Sequence, residues 1–474
     1  MRDMSPVSEE TDMRTKNQSL DRHRNHNAMC RLEIEGLFGH FNYRIPSSGG
    51  VDDVTRLMVL YGDNGCGKTT ILKLLYHLFA VSGRGHKTFV AGVPFRRFAV
   101  ELTDETVIDA YREGKDRIGG YCVAVRGPSC GSQLFRFVTD ERGRVTTTIN
   151  DAEQFEGLRV ALEAIDMRVD LLPDDRRTPG LLDESDYSVE RRDSEVRRLR
   201  IVRARETDTG LAETSLLQKA LRQMTDSLRT RTIAASSMGY ASANAIYDNV
   251  LREIARYEGQ KAEFEPAQVE EMVRVLDGLS ARAKEYASLG VTGELNTASL
   301  IEALKHASLE NRGLIFAIIS PYVDSVKARF DALEDVGNAI ESFTRSLNHM
   351  YSQKTVAFSL TDGLSIHLMD GANLSPELLS SGETQLLLLL ANAVNSRGRS
   401  SVLAIDEPEL SLNVKWQRQL VRTLLECVGT SPVQLVLATH SIELIAQHRA
   451  NVVKLASDGQ ASMSAGEIES TNVE

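Results

Sequence analysis

At 474 residues, with 42% hydrophobic and 26% charged side chains, the chain has the composition of a globular protein of two or three lobes with a large core. Its formal charge of −11 excludes a uniformly basic nucleic-acid binder, although a local patch could still hold phosphate. Five cysteines (Cys30, Cys66, Cys122, Cys130, Cys427) form no CxxC pair or metal-ligand spacing, and no window reaches the roughly 18 apolar residues of a membrane span, so a cytoplasmic protein is expected.

Residues 1–28 are polar, lack a signal-peptide apolar region and read as a disordered extension. Cys30 to Phe38 alternates as a half-buried strand does, and is expected to pair near the strand that follows. That next strand, Leu57 to Tyr61, leads into Gly62-Asp63-Asn64-Gly65-Cys66-Gly67-Lys68-Thr69-Thr70 and a helical Ile71 to Leu75. The spacing is G-x-x-x-x-G-K-T, the Walker A motif: backbone N–H groups close around the α- and β-phosphates, Lys68 meets the β- and γ-phosphates, and Thr69 holds Mg²⁺. A glycine-rich turn that binds nothing would rarely carry Lys-Thr at this offset between a buried strand and a helix.

Apolar runs at Phe98 to Leu102, Tyr121 to Val125 and Leu134 to Val138, with the turn Glu141-Arg142-Gly143 nearby, predict an antiparallel sheet beside the nucleotide core, and Val169 to Pro173 one more core strand. From Ser194 the register turns helical. The arginines between Arg191 and Arg205 are interleaved with acidic residues and read either as a salt-bridged surface or as a phosphate-binding stripe. Val323, Val326, Phe330, Leu333, Ile340, Phe343, Leu347 and Met350 keep helical spacing across Tyr322 to Met350, as one long amphipathic helix or a short coiled-coil arm.

Thr361-Asp362-Gly363 between two apolar runs is a hairpin signal. Leu379-Ser380-Ser381-Gly382-Glu383 then opens an apolar helix, Leu386 to Ala391, at whose N-terminus an anion is favoured; Ser380 could equally be a plain N-cap. Val402 to Ile405 is a buried-strand run ending in Asp406-Glu407-Pro408, a Walker B motif in which Asp406 serves Mg²⁺ and Glu407 polarises the attacking water. A second such run, Gln434 to Ala438, ends in Thr439-His440-Ser441; His440 could be an ordinary strand-end histidine, but beside Walker B it suits a γ-phosphate sensor.

Together, Gly62-x-Asn64-Gly65-x-Gly67-Lys68-Thr69, Leu379 to Glu383, Asp406 to Leu412 and Thr439-His440-Ser441 resemble the ABC-type ATPases of the SMC and OLD (overcoming lysogenization defect) group. The resemblance covers residues 29–178 and 353–456 and implies an α/β P-loop NTPase fold of ABC-ATPase type, a mixed sheet with an antiparallel lobe. A large all-α insertion at 179–352 and a flexible tail at 457–474 complete the expected organisation. The resemblance implies ATP and Mg²⁺ as cofactors. It also implies a homodimer through ATP-sandwiched heads, open to a higher oligomer of dimers, in which Ser381 and Gly382 contact the γ-phosphate held by the second protomer. Ser411 and Asn413 would lie on the dimer-crossing D-loop, and His440 would be the switch histidine; Lys68, Glu407 and His440 are the catalytic candidates.

The usual D-loop histidine or aspartate is Asn413 here, and Pro94-Phe95-Arg96-Arg97 occupies the region where a Q-loop glutamine is expected. The stretch after His440 is too short for the TOPRIM nuclease domain of many OLD proteins, so a nuclease is expected in a partner. The phrasing Leu379-Ser-Ser-Gly-Glu, Glu409-Leu-Ser-Leu and Trp416-Gln417 is similar to stand-alone defence ATPases such as the ATPase subunit of PARIS-type anti-phage systems. That implies a regulatory or sensor subunit with a phage protein trigger and a nuclease or toxin effector. The alternative is an SMC-like DNA-repair clamp that binds DNA directly; a transporter ATPase subunit fits less well, because it lacks such an insertion.

Overall fold

The computed structural model describes residues 27–46, 56–81, 84–146, 149–174, 216–236, 266–308, 311–398, 401–455 and 461–463. In chain order its strands are β1 (Met29–Leu37), β2 (Phe41–Pro46), β3 (Leu57–Tyr61), β4 (Arg97–Leu102), β5 (Val107–Tyr111), β6 (Tyr121–Gly127), β7 (Gly131–Phe137), β8 (Arg168–Leu172), β9 (Lys354–Ser359), β10 (Gly363–Leu368), β11 (Ser401–Asp406), β12 (Val433–Thr439), β13 (Val452–Leu455) and β14 (Ala461–Met463). The chain divides into two compact units, one from Met1–Leu216 with Ser396–Glu474, the other Leu217–Asn395.

The first unit holds two six-stranded sheets. One has the order β14-β13-β3-β12-β11-β8 and is parallel throughout except for the edge pair β13–β14. Every residue of β11 and β12 is buried, as unbroken apolar runs covered on both faces should be. The helix Lys68–Phe79 packs on β8, β11 and β12 through Ile71, Leu72, Leu74, Leu75 and Leu78. The other sheet, β2-β1-β4-β5-β6-β7, is antiparallel throughout, with the helix Ile149–Ile165 against β7. The expected antiparallel strands are all present, and β5 joins them between β4 and β6.

Strand β1 departs from expectation: it pairs with β2 and β4 in the antiparallel sheet and not with a strand next to β3. The reason is its alternation. Leu32, Ile34 and Leu37 are buried, while Glu33 meets Arg44 at 2.9 Å and Arg97 at 3.2 Å on the other face, a carboxylate that a doubly covered parallel sheet could not solvate. Of the expected N-terminal extension, residues 1–26 lie outside the described residues; Asn27 donates to the Ile165 carbonyl at 3.0 Å and the Ala28 N–H to Thr103 Oγ1 at 3.1 Å. The arginine run from Arg191 to Arg205 also lies outside them.

The segment Pro94 to Arg97 reaches the core through Phe95 alone, with Pro94 and Arg97 half-buried and Arg96 exposed. Phe95 is fully buried, and the buried Arg112 guanidinium donates to the Val93 carbonyl at 2.9 Å and the Phe95 carbonyl at 3.1 Å, fixing the backbone on both sides of Pro94.

In the second unit, the described helices are 216–236, Pro266–Ser288, Ala298–His306, Arg312–Met350 and Ser381–Asn395. The helix predicted from Tyr322 starts earlier, at Arg312, and runs through Pro321. Val323, Phe330, Leu333, Ile340, Phe343, Leu347 and Met350 are all buried on it and Val326 is half-buried, so its apolar stripe is core rather than a free zipper seam. The hairpin formed by β9 and β10 turns at Gly363, where φ is +76°, a value for which glycine bears no steric cost.

Phe343 meets Phe358 of β9 edge to face, with ring centroids 6.1 Å apart. Phe343→Ala should therefore destabilise this unit by about 3–5 kcal/mol, the range for removing a buried aromatic ring. Urea unfolding is the measurement, and the expected outcome is a lower midpoint with an unchanged slope.

Candidate functional site

The P-loop joins the end of β3 to the helix Lys68–Phe79, and its glycines are required by space as much as by conformation. A Cβ at Gly62 would stand 2.6 Å from the Leu455 carbonyl oxygen; at Gly67, where φ is +91°, it would stand 2.6 Å from Leu37 Cδ2. Asp63, Asn64 and Gly65 are exposed, Thr69 and Thr70 half-buried, and Cys66 is buried with its carbonyl accepting from the Tyr43 hydroxyl at 3.0 Å. Lys68 is buried, and its ammonium donates back to the carbonyls of Gly62 at 2.7 Å and Asp63 at 3.1 Å. That holds a cation across the mouth of the loop whose N–H groups begin the helix, so both favour an anion there.

Asp406 ends β11 and is 2% exposed. Burial raises its carboxyl to about pKa 6, an effect strengthened by Asp174 and opposed by the Thr69 hydroxyl and the ammoniums of Lys73 and Lys68. Thr69 comes close enough to favour the ionised form without completing a hydrogen bond: neither carboxylate oxygen has a bonded partner among the described residues.

Glu407 follows in a left-handed conformation, φ +46°, with its N–H bonded to the Ala438 carbonyl at 2.8 Å. Its Oε2 lies 2.5 Å from Nδ1 of His440, which is half exposed just past β12. Burial, then the adjoining Glu409 carboxylate, push Glu407 up to about pKa 7, while His440 pulls it down. Glu409 is buried and is a site residue that sequence reasoning left as part of a motif. Its Oε1 accepts from Thr439 Oγ1 at 2.5 Å and from the N–H groups of His440 and Ser441, each at 3.1 Å. A carboxylate three residues past Asp406 in Asp-Glu-Pro-Glu was the available signal.

Ser411 and Asn413 sit on the turn between β11 and the helix Val414–Val428. Ser411 is exposed with φ +63°, and Asn413 is the N-cap of that helix, its Oδ1 accepting from the Trp416 N–H at 3.0 Å. Gln417 ties this turn to the histidine turn: its Nε2 donates to the Leu412 carbonyl at 2.9 Å and its Oε1 accepts from the Ser441 hydroxyl at 2.8 Å.

Ser381 and Gly382 belong to the second unit. Ser381 is the exposed first residue of the helix Ser381–Asn395 and Gly382 is buried. The cap reading of Ser380 holds. Its hydroxyl accepts from the Glu383 N–H at 3.3 Å, while Glu383 Oε2 accepts from the Ser380 N–H at 2.8 Å, a reciprocal capping box. Burial opposes charge on Glu383, but Lys354 at 2.6 Å and the Ser380 donors hold its carboxyl below the ordinary range. The Tyr351 hydroxyl donates to the Glu383 carbonyl at 2.6 Å, so the end of the long helix anchors the start of this one.

Parallel strands, a Walker A loop, a Walker B carboxylate pair and a histidine turn, with an antiparallel lobe, define an α/β P-loop fold of ABC type. A family model described as "AAA domain, putative AbiEii toxin, Type IV TA system" matches residues 242–446. Among solved structures, the chain is similar to the Smc head domain with an extended coiled coil bound to the C-terminal domain of ScpA derived from Pyrococcus furiosus, at 13% identity over 92% of this chain and 95% of that one, TM-score 0.38. It is likewise similar to an SmcHead bound to the C-winged helix domain of ScpA, at 13% identity over 92% and 96%, TM-score 0.33. No curated protein matches the chain. The geometry is thus that of a P-loop nucleotide site, and among the described residues no helix is long and apolar enough to cross a membrane.

The raised Asp406 carboxyl has a stability consequence with a definite sign. A carboxyl held above its unfolded value penalises the folded state once it ionises, so the penalty is absent below about pH 4, grows towards pH 6 and is complete above it. Asp406→Asn should raise the stability of nucleotide-free protein at pH 8 by up to about 3 kcal/mol. Thermal melts of the two proteins across pH 4–8 check this: the gain should fade as the pH drops.

Proposed function

We propose that this protein hydrolyses ATP as the regulatory or sensor subunit of an anti-phage defence system, acting with a toxin or nuclease effector supplied in trans. The observation that carries the hydrolytic part is the Glu407–His440 pair, 2.5 Å apart at the strand edge that also bears the P-loop. The AbiEii toxin and type IV TA description of the matching family supports the toxin-partnered part.

In this reading the Gly62 to Thr70 loop binds the phosphates and Lys68 exchanges the Gly62 and Asp63 carbonyls for the β- and γ-phosphates. Thr69 and Asp406 would hold Mg²⁺. They fit it: both are hard oxygen donors, and Asp406 presents a buried carboxylate with no bonded partner among the described residues. Mg²⁺ would neutralise charge on the phosphates when bound. Glu407, near neutral in its proton affinity, accepts a proton from the attacking water, and His440 orients that carboxylate and senses the γ-phosphate. Ser381 and Gly382 of a second protomer would complete the site, with Ser411 and Asn413 at the crossing. Asn413 keeps its Nδ2 group for that role while its Oδ1 caps its own helix.

Lys68→Ala should abolish ATP binding in calorimetry, whereas Glu407→Gln should bind ATP and lose on the order of 100-fold in turnover, the usual contribution of a general base. Equal ATP affinity of Lys68→Ala and the parent would sink the assignment.

The division of work between protomers gives a second outcome. Lys68→Ala and Ser381→Arg chains, each inactive alone, should recover part of the ATPase activity on mixing, because one composite site regains both halves. Absence of recovery in demonstrably mixed assemblies, together with no ATP-dependent mass increase of Glu407→Gln in light scattering, would reduce Ser381 to a plain helix start.

A further inference from the structure

We propose that Glu409 is a positioning residue for hydrolysis: by gathering three donors from the Thr439-His440-Ser441 turn onto one buried carboxylate oxygen, it locks the histidine turn to the Walker B turn and so sets His440 against Glu407. The inference rests on the ATPase reading above and gives that reading a part that neither Walker motif contains.

The ends of β11 and β12 carry the two reacting-site side chains; the ladder continues one step to the Glu407 N–H on the Ala438 carbonyl, and beyond that the turns are tied by side chains, Gln417 on the outer side and Glu409 within. Past β11 the chain enters a left-handed residue, Glu407, and past β12 it leaves through a half-exposed histidine. Glu409 spans that gap. It is 5% exposed, and its Oε1 accepts from Thr439 Oγ1 at 2.5 Å, His440 N–H at 3.1 Å and Ser441 N–H at 3.1 Å. Thr439 is itself fully buried, so its hydroxyl has little alternative to this acceptor. Two consecutive backbone N–H groups pointing at one oxygen leave the His440 backbone little freedom, and the ring it carries then meets Glu407 Oε2 at 2.5 Å. Glu409 Oε1 holds the histidine by its backbone N–H at 3.1 Å and stands 3.5 Å from ring Nδ1, while Glu407 takes that ring nitrogen at 2.5 Å. A positioned base is worth its rate only while its partner is held in register, since small displacements of reacting groups cost large factors in turnover.

The experiment is steady-state ATP hydrolysis with parallel ATP-binding measurements on Glu409→Ala, Glu409→Gln and Thr439→Val in the full chain. Glu409→Ala should lose at least tenfold in kcat while its affinity for ATP stays within about twofold, because the P-loop contacts are untouched. Glu409→Gln keeps an oxygen that can accept the same three donors, and should recover most of kcat. Thr439→Val should fall between them. Wild-type kcat in Glu409→Ala, or equal damage in the Ala and Gln variants, overturns the proposal, as does a loss of ATP affinity that tracks the loss of kcat. Should Glu409→Ala melt below the assay temperature, Thr439→Val decides: unchanged kcat overturns the proposal and reduced kcat at unchanged affinity supports it. Failure of the parent to bind or hydrolyse ATP would instead overturn the ATPase reading, a separable result.

Discussion

Strand β12 lies between the strand that delivers the P-loop and the strand that delivers Asp406, hydrogen-bonded in parallel to both. Parallel pairing makes all three chains leave the sheet at the same edge, so Tyr61, Thr439 and Asp406 end within one row and the P-loop, His440 and Glu407 start from a common platform. Ligand sites in open α/β sheets form at this carboxyl edge. Because β11 and β12 are buried along their whole length, the platform cannot shift without exposing the core.

The site is built from groups that would be unfavourable anywhere else. Asp406 is buried without a bonded partner among the described residues, Glu407 and Ser411 adopt left-handed backbone, and the carboxyls of Glu407 and Glu409 stand side by side. Each is a local cost that the surrounding packing sustains. On the proposed reading the same groups supply what a phosphate, a hard cation and a water molecule require: oxygen donors, a base of near-neutral proton affinity and a cation, Lys68, already desolvated. Gln417 extends the arrangement by linking the turn after β11 to the turn after β12 within one chain.

The second unit follows a different physical logic. Its long helix buries one apolar stripe, and the hairpin of β9 and β10 packs on that stripe through Phe358. At the helix's end Tyr351 and, just beyond it, Lys354 hold Glu383, which in turn completes the capping box of Ser381–Asn395. The exposed Ser381 thereby starts its helix next to a fixed cap.

Local chemistry was legible in the sequence: the Gly-Lys-Thr spacing, the apolar runs ending in Asp406-Glu407 and in His440, the alternation of β1, the Asp-Gly hairpin and the periodicity of the long helix each follow from residue type and spacing over a few turns. What pairing β1 takes, that the long helix begins ten residues before the last proline-free stretch, and that Ser380 is a cap depend on partners far along the chain or on competing local bonds. The hydrogen bonding of Glu409 belongs to the same class, since its three donors come from residues thirty or so positions away. Only the tertiary structure decided these, because strand pairing and buried hydrogen-bond satisfaction are set by which surfaces meet, and a sequence reports the surfaces but not their meeting.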